Sequence, residues 1–380
     1  MTHNVTNSER ACSACAQRWL IKYGLGCDLW EPSLAISIGI VWHDLLEFVG
    51  VQTQNHGIEA GDAAAAFFNA QRGKLEEDGA LDAEYENIAL CETMWEGYTR
   101  THGADPFEGM TMVHVEQAVE VVARVDVGGR IIAATVSGKI DKLVHMKGDP
   151  EGTAWIVEHK STSLDPHTWI DKHEYSPQGL FYAWMTQRAL GLKVAGIVYD
   201  VACRKRPRDP EELLTQAGKL RSYSASRLPT TTALRYAKAA RMAEAKGHAK
   251  PDHFEAVHRA LEAREADGYW FKRFKVRFNQ KDIARAGQEM AVMGNRILGW
   301  WAHTQGHRAR VKAASGKGPQ VFGQAASAAL EEIGHLYPRN HAECNSVYGK
   351  CKYMELCRTW SPEAASSFSL RNIRPHEGPG

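Results

Sequence analysis

No run of about 18 apolar residues occurs in this 380-residue chain, so no transmembrane helix is expected. Its polar start, MTHNVTNSER, lacks the apolar region of a signal peptide, which points to the cytoplasm. An excess of either charge is missing too. With 46 Lys and Arg against 45 Asp and Glu, the net charge is +1, so nothing global announces nucleic acid. A polyanion would have to meet local clusters such as Arg204-Lys205-Arg206 with Arg208. No phosphate-cradling glycine-rich loop is present, which argues against a small-molecule phosphohydrolase. What the chain does have is core-forming material: 44% of residues are hydrophobic, ample for one large domain with insertions or for two smaller ones. Eight cysteines in a cytosolic chain argue for metal or redox chemistry over structural disulfides.

The stretch from Ser137 to Lys160, SGKIDKLVHMKGDPEGTAWIVEHK, organises the rest. Turn formers concentrate at Gly148-Asp149-Pro150-Glu151-Gly152 between two β-rich runs, which predicts a hairpin. Folded about Asp149 and Pro150, it sets Asp141 across from Glu158, with Cβ atoms about 5 Å apart. Two carboxylates so placed repel unless a divalent cation lies between them, and Mg²⁺ or Mn²⁺ is the usual choice. Strand alternation puts Lys160 on the face of Glu158, where its charge can stabilise a phosphate or orient a water.

Along the chain, Cys12 and Cys15 form a Cys-x-x-Cys pair ahead of a short helix through Trp19, Leu20 and Tyr23. A second helix is expected from Ser33 through Phe48, with His43 and Glu47 four apart on one face. One or two helices fill 51–110. Thr111 to Asp126 alternates as a half-buried strand, with Val113, Val115, Val119, Val121 and Val125 inward and Glu116, Glu120 and Arg124 outward. Glu116 can join the paired acids as a supporting carboxylate. Gly128-Gly129 turns this strand into the hairpin, so three consecutive antiparallel strands are expected. Ser161 to Trp169 reads as a loop. Ser176-Pro177 then starts a helix ending at Gly191, with Gln178 and Tyr182 on one face near its positive end. Val194 through Val201 is apolar throughout, as in a strand buried on both faces.

Beyond Cys203 comes an insertion of helical stretches that adds little to the sheet on this reading. It ends near Tyr269-Trp-Phe-Lys-Arg-Phe-Lys-Val-Arg-Phe278, where aromatics and cations interleave either as a strand-guiding surface or as an amphipathic strand with a solvated basic face. A long helix from Lys281 to Ala314 buries Met290, Ile297 and Trp300 or Trp301. Near the C-terminus stand Cys344, Cys351 and Cys357, one thiolate short of a four-coordinate site that the N-terminal pair can complete.

Gly138-Lys139-Ile140-Asp141 followed by Ile156-Val157-Glu158-His159-Lys160 resembles the acid-x(n)-Glu-x-Lys signature of the PD-(D/E)XK nucleases. Gly39-Ile-Val-Trp-His43 resembles the histidine motif of the RecB-type branch, and Gln178-x-x-x-Tyr182 its substrate-strand motif. The cysteine arrangement, one upstream and three near the C-terminus, is similar to the iron-sulfur members, which include bacterial helicase-nucleases, CRISPR adaptation nucleases and phage relatives. That resemblance implies Asp141, Glu158 and Lys160 as catalytic residues. It implies His43, Asp141, Glu158 and the His159 carbonyl as ligands of Mg²⁺ or Mn²⁺, and Gln178 and Tyr182 as DNA contacts. It further implies a 4Fe-4S cluster on Cys15, Cys344, Cys351 and Cys357, Cys15 matching better than Cys12; a structural Zn²⁺ is the alternative. Ile140 stands where the family name has proline, and the cysteine spacing departs from the common Cys-x2-Cys-x5-Cys.

The implied fold is α/β: a restriction-endonuclease-like αβββαβ core, its central mixed sheet flanked by helices. A helical insertion and a cysteine-metal staple joining the terminal segments complete it. The expected divisions are 1–203 for the cysteine segment plus core, 204–330 for the insertion, 331–360 for the C-terminal cysteines and 361–380 for a flexible tail. The implied activity is a metal-dependent DNA exonuclease in phage or bacterial recombination and repair. A recombinase, annealing protein or helicase would be its partner, and no membrane is involved. The alternatives are a DNA-end-binding subunit with little cleavage of its own and a CRISPR-adaptation-type endo- or exonuclease.

Overall fold

The computed structural model describes residues 3–29, 34–78, 82–174, 176–346 and 349–370. The chain opens with β1 (Val5–Thr6), α1 (Asn7–Cys12), α2 (Ala16–Trp19), a π-helical turn and β2 (Cys27–Leu29). Three long helices follow: α3 (Leu34–His56), α4 (Ala60–Asp78) and α5 (Asp82–His102). Ser33, the expected start of α3, lies outside the described residues. The helix runs past the expected end at Phe48, taking in Gly50, and stops before Gly57, which takes the left-handed φ of 63° that glycine tolerates.

The sheet is built by β3 (Met110–Val127), β4 (Arg130–Met146) and β5 (Thr153–Thr162), followed by α6 (Pro166–His173), α7 (Pro177–Leu190) and β6 (Lys193–Cys203). Asp165 caps α6 by accepting from the Thr168 amide, so the expected loop after Lys160 is instead short and followed by a helix. β3, β4 and β5 pair antiparallel, while β6 runs parallel to β5, as a helical crossover demands. The β4–β5 ladder is brief: Lys142–Val157, Leu143–Ile156 and Val144–Trp155. Before Lys142 the two strands part. Because β3 follows the other edge of β4 throughout, β1 pairs at Val136 and Ser137 on the edge that β5 has left.

The region after Cys203 departs from the sequence expectation. α8 (Ala233–Ala245) and α9 (Phe254–Ala266) do stand aside, around a small core of Leu213, Tyr236, Val257 and Leu261. However, β7 (Phe271–Arg277) pairs antiparallel with β6 over seven residues and completes the six-stranded mixed sheet. α10 (Gln280–Ser315) then lies across β3 and β4, burying Met290, Ile297 and Trp301 at helical spacing. Each such side chain contributes roughly 2 kcal/mol of hydrophobic stabilisation. Gly294 permits the approach, since a Cβ there would meet Ala134 Cβ at 2.5 Å. The segment 268–330 is therefore part of the core, with Ile283, Met290, Ile297, Phe322 and Leu330 buried in its main cluster.

α11 (Pro319–Ile333) leads to β8 (Asn345–Ser346), β9 (Gly349–Lys350), α12 (Met354–Thr359), α13 (Pro362–Ser366) and β10 (Phe368–Leu370). The expected flexible tail is thus structured as far as Leu370, where β10 pairs with β2 and Phe368 is buried. Residues 371–380 lie outside the described residues. The helices form two layers. α7 and α10 cover one sheet face around Ile140, Leu143, Ile156, Ile197 and Phe181, while α3, α4 and α5 cover the other around Trp42, Leu45, Phe67 and Tyr98. The N-terminal segment is fastened by Glu9, whose buried carboxyl accepts from the indoles of Trp19 at 3.0 Å and Trp301 at 2.6 Å. Among the described residues no helix is long and apolar enough to cross a membrane.

Candidate active site and cysteine centre

The parting of β4 and β5 creates the candidate site. Continuing their register by one pair sets Asp141 opposite Glu158, but no ladder bond forms there. Instead Asp141 Oδ2 accepts from the His159 main-chain N–H at 2.9 Å, and His43 Nδ1 on α3 lies 3.5 Å from the same oxygen. Glu158 is 2% exposed. Its Oε1 accepts from Lys160 Nζ and, at 3.0 Å, from Gln178 Nε2. The same Gln178 amide donates to Tyr182 Oη at 3.3 Å, so α7 presents both side chains to the site. Gly138 makes room for Tyr182: a Cβ there would lie 3.0 Å from its ring.

The electrostatics follow from this burial. Desolvation first, then repulsion from Asp141, pushes the Glu158 carboxyl up despite Lys160. Burial likewise raises Asp141, against the opposing Lys160 charge and the His159 amide. Lys160 is held protonated: burial works against its charge, but Glu158 and Asp141 outweigh it. His43 is lowered to about 4 by burial and by Lys160, so its imidazole is neutral and able to donate a lone pair.

Glu116 stands beside Asp141 at a strained place. Its φ of 52° lies in the left-handed region that side chains rarely adopt. Burial and then the Asp141 charge raise its carboxyl to about 7, and Lys139 Nζ contacts it at 2.5 Å. Lys139 also lies 3.6 Å from Glu47 on α3. Lys139 and Glu47 were not expected at the site. The signals were present: Glu47 is one helical turn after His43, and Lys139 is two residues before Asp141.

Among the described residues no three His, Cys, Asp or Glu side chains converge as a ready-made metal cage. Mg²⁺ and Mn²⁺ do not require one, since they take one or two carboxylates and complete their shells with water and phosphate oxygens. One feature of the site favours such a cation. Glu158 Oε2 is buried and has no hydrogen-bond partner among the described residues, a costly state that a cation would relieve.

The basic, aromatic run 269–278 is differently employed from the base-stacking role its pattern offered. Trp270 and Phe271 are buried, Phe274 and Phe278 pack against the core, and Arg273 lies 3.3 Å from Asp200. Lys275 and Arg277 lie over the Trp155 ring.

A second centre joins the chain ends. Cys15, Cys344, Cys351 and Cys357 line one cavity with Arg18 and Arg339, and Cys12 is not among the lining residues. Burial raises the Cys357 thiol to about 11; Arg339 opposes the rise, and Cys15, Cys344 and Cys351 add to it. Cys27, Cys91 and Cys203 are buried elsewhere. No protein-family model matches this chain, and no curated protein matches it.

Proposed function

We propose that this protein is a metal-dependent deoxyribonuclease of the PD-(D/E)XK superfamily, an end-dependent exonuclease of the RecB type that acts in the cytoplasm. One observation carries the reading: Asp141 and Glu158 are opposed where β4 and β5 part, with Lys160 on the Glu158 carboxyl and Glu158 Oε2 unpartnered. His43, Asp141, Glu158 and the His159 carbonyl would hold Mg²⁺ or Mn²⁺. That ion, when bound, supplies a Lewis acid for the scissile phosphate and lowers the pKa of an attacking water. Lys160, kept protonated by its two acidic neighbours, sets a positive charge beside the site and can stabilise the anionic transition state. Gln178 donates to Glu158 and so holds its carboxylate in one orientation, while Tyr182 and the first turn of α7 would contact the DNA strand. His43, neutral near pH 7, would add a ligand without adding charge.

We further propose that Cys15, Cys344, Cys351 and Cys357 hold an iron-sulfur cluster that fastens the termini to the core. The four-thiol donor set supports this, and it equally suits Zn²⁺. The test uses anaerobically purified protein: nucleotide release from end-labelled linear DNA with Mn²⁺, wild type beside Glu158→Ala. Release that vanishes in the variant supports the nuclease. Equal release from both proteins overturns it, and DNA binding without release by either leaves an end-binding subunit.

A further inference from the structure

The face of β5 opposite Glu158 and Lys160 holds a polar network that the proposed chemistry does not use. Lys142 is 1% exposed, and its Nζ donates to the Leu46 carbonyl at 3.0 Å and to His159 Nε2 at 2.7 Å. The other ring nitrogen, His159 Nδ1, lies 3.1 Å from Asp200 Oδ2, at an angle that leaves it without a hydrogen bond. Asp200, 2% exposed, is in turn approached by Arg273 from β7 and accepts from Tyr98 Oη on α5. His159, Asp200 and Arg273 are lateral neighbours in the register of β5, β6 and β7. Residues of β4, β5, β6, β7, α3 and α5 thus form one chain of contacts that runs through the His159 imidazole.

A buried array of this kind is costly. Lys142 is lowered to about 8, mainly by burial and further by the Arg273 charge, the nearby acids Asp141, Asp200 and Glu116 working against the shift. Apolar side chains would fill the space more cheaply. What distinguishes His159 is its backbone: the same residue whose ring is wedged between Lys142 and Asp200 supplies the N–H that holds Asp141 Oδ2. No β4–β5 ladder bond fixes that peptide, because the ladder has ended at Lys142–Val157. The β5–β6 ladder holds the His159 main chain on one side; on the β4 side, where no ladder bond remains, the ring contacts add the second constraint.

We infer that His159 is a positioning residue, whose side chain, wedged between Lys142 and Asp200 behind the sheet, sets the peptide that orients Asp141 for a divalent cation. The inference rests on the metal reading of Asp141 and Glu158 given above. Residues that hold metal ligands in place typically govern affinity by 10–100-fold.

The test titrates Mn²⁺ into anaerobically purified, full-length protein freed of Mg²⁺ and Mn²⁺ but with its cysteine centre left loaded, by calorimetry and without DNA, for wild type, His159→Leu and His159→Gln. Thermal melts are recorded for each in EDTA. We expect His159→Leu to bind Mn²⁺ about tenfold more weakly. The Mn²⁺ needed for half-maximal nucleotide release should rise in step. His159→Gln, whose amide oxygen can still accept from Lys142, should recover part of the loss. A folded His159→Leu protein that binds Mn²⁺ like wild type overturns the inference. So does failure of both variants to fold, which would assign the network to stability. Glu158→Ala, titrated alongside, separates the two readings: if it retains wild-type Mn²⁺ binding, the metal reading itself fails, whatever His159 does.

Discussion

Asp141 Oδ2 takes a 2.9 Å hydrogen bond from the His159 main-chain N–H at the point where β4 and β5 cease to pair. A side-chain oxygen therefore replaces a backbone carbonyl in the ladder. That substitution keeps the strands tethered while leaving a wedge between them, open to α3 on one side and α7 on the other. The wedge explains why a histidine from position 43 and an amide from position 178 reach the same pair of acids.

Asp141→Asn separates the tether from the charge. Its amide oxygen can still accept from His159, so the strands should stay joined, and the melting temperature in EDTA should not fall. Loss of the carboxylate should lower nucleotide release by about 10³-fold, the range seen when a preorganised electrostatic group is removed. Release within tenfold of wild type would remove Asp141 from the chemistry.

Much of this arrangement was legible in the sequence, and for identifiable reasons. The turn at Asp149-Pro150 fixed the hairpin register, and the observed pairing of Lys142 with Val157 continues to Asp141 and Glu158 as expected. Ser176-Pro177 and Gly191 bounded α7 because N1 proline and a left-handed glycine act locally. What the sequence hid was non-local. The residues of β7 read as an exposed basic strand, since pairing with β6 and the burial of Arg273 against Asp200 depend on a partner more than 70 positions away. The same applies to the last residues: nothing in Phe368-Ser-Leu370 announces pairing with Cys27-Asp-Leu29. Asp200 also escaped notice, because a single charge in an apolar run has no periodic signature, and Lys142 did because it reads as one more charge beside Lys139 and Asp141.

Glu116 offers a test of stored strain. A glutamate at φ 52° costs of order 1 kcal/mol relative to glycine. Glu116→Gly should therefore raise stability by about 1 kcal/mol in urea titrations at neutral pH, with a further gain from removing the repulsion of Asp141. A loss of stability would show that the Glu116–Lys139 contact outweighs both.

Acid sensitivity should trace in part to His102. Burial first, then Arg273, lowers its pKa to about 4 from an ordinary 6.5, against the opposing pull of Asp200. The folded state thus binds fewer protons than the unfolded chain between these values. The stability it contributes is complete above pH 6.5 and is lost as pH falls toward 4. The loss is at most about 3 kcal/mol. His102→Phe keeps a ring against Tyr98, which His102 meets at 4.7 Å between centroids. Urea midpoints at pH 7 and pH 5 in EDTA should therefore separate more for wild type than for this variant; equal separations would count against a depressed His102.

The cysteine centre makes the sharpest distinction between neighbours three residues apart. Cys15 lines the cavity with Cys344, Cys351 and Cys357, whereas Cys12 packs in the hydrophobic core. Cys12→Ser should leave the metal content of anaerobically purified protein unchanged, while Cys15→Ser should lower it and lose any broad absorption near 400 nm of the kind iron-sulfur thiolates give. Zinc in place of iron would keep the contrast and change only the spectrum. The same variants report on closure. Asp28, which follows Cys27 on β2, is bonded by Lys352 and Tyr353, and β10 pairs with β2, so protein contacts already join the ends without metal. Cys15→Ser should therefore loosen the C-terminal segment to limited proteolysis without unfolding the sheet. A protein whose 340–370 segment stays equally protected would mean that these pairings alone hold the termini, and that the thiols serve another purpose.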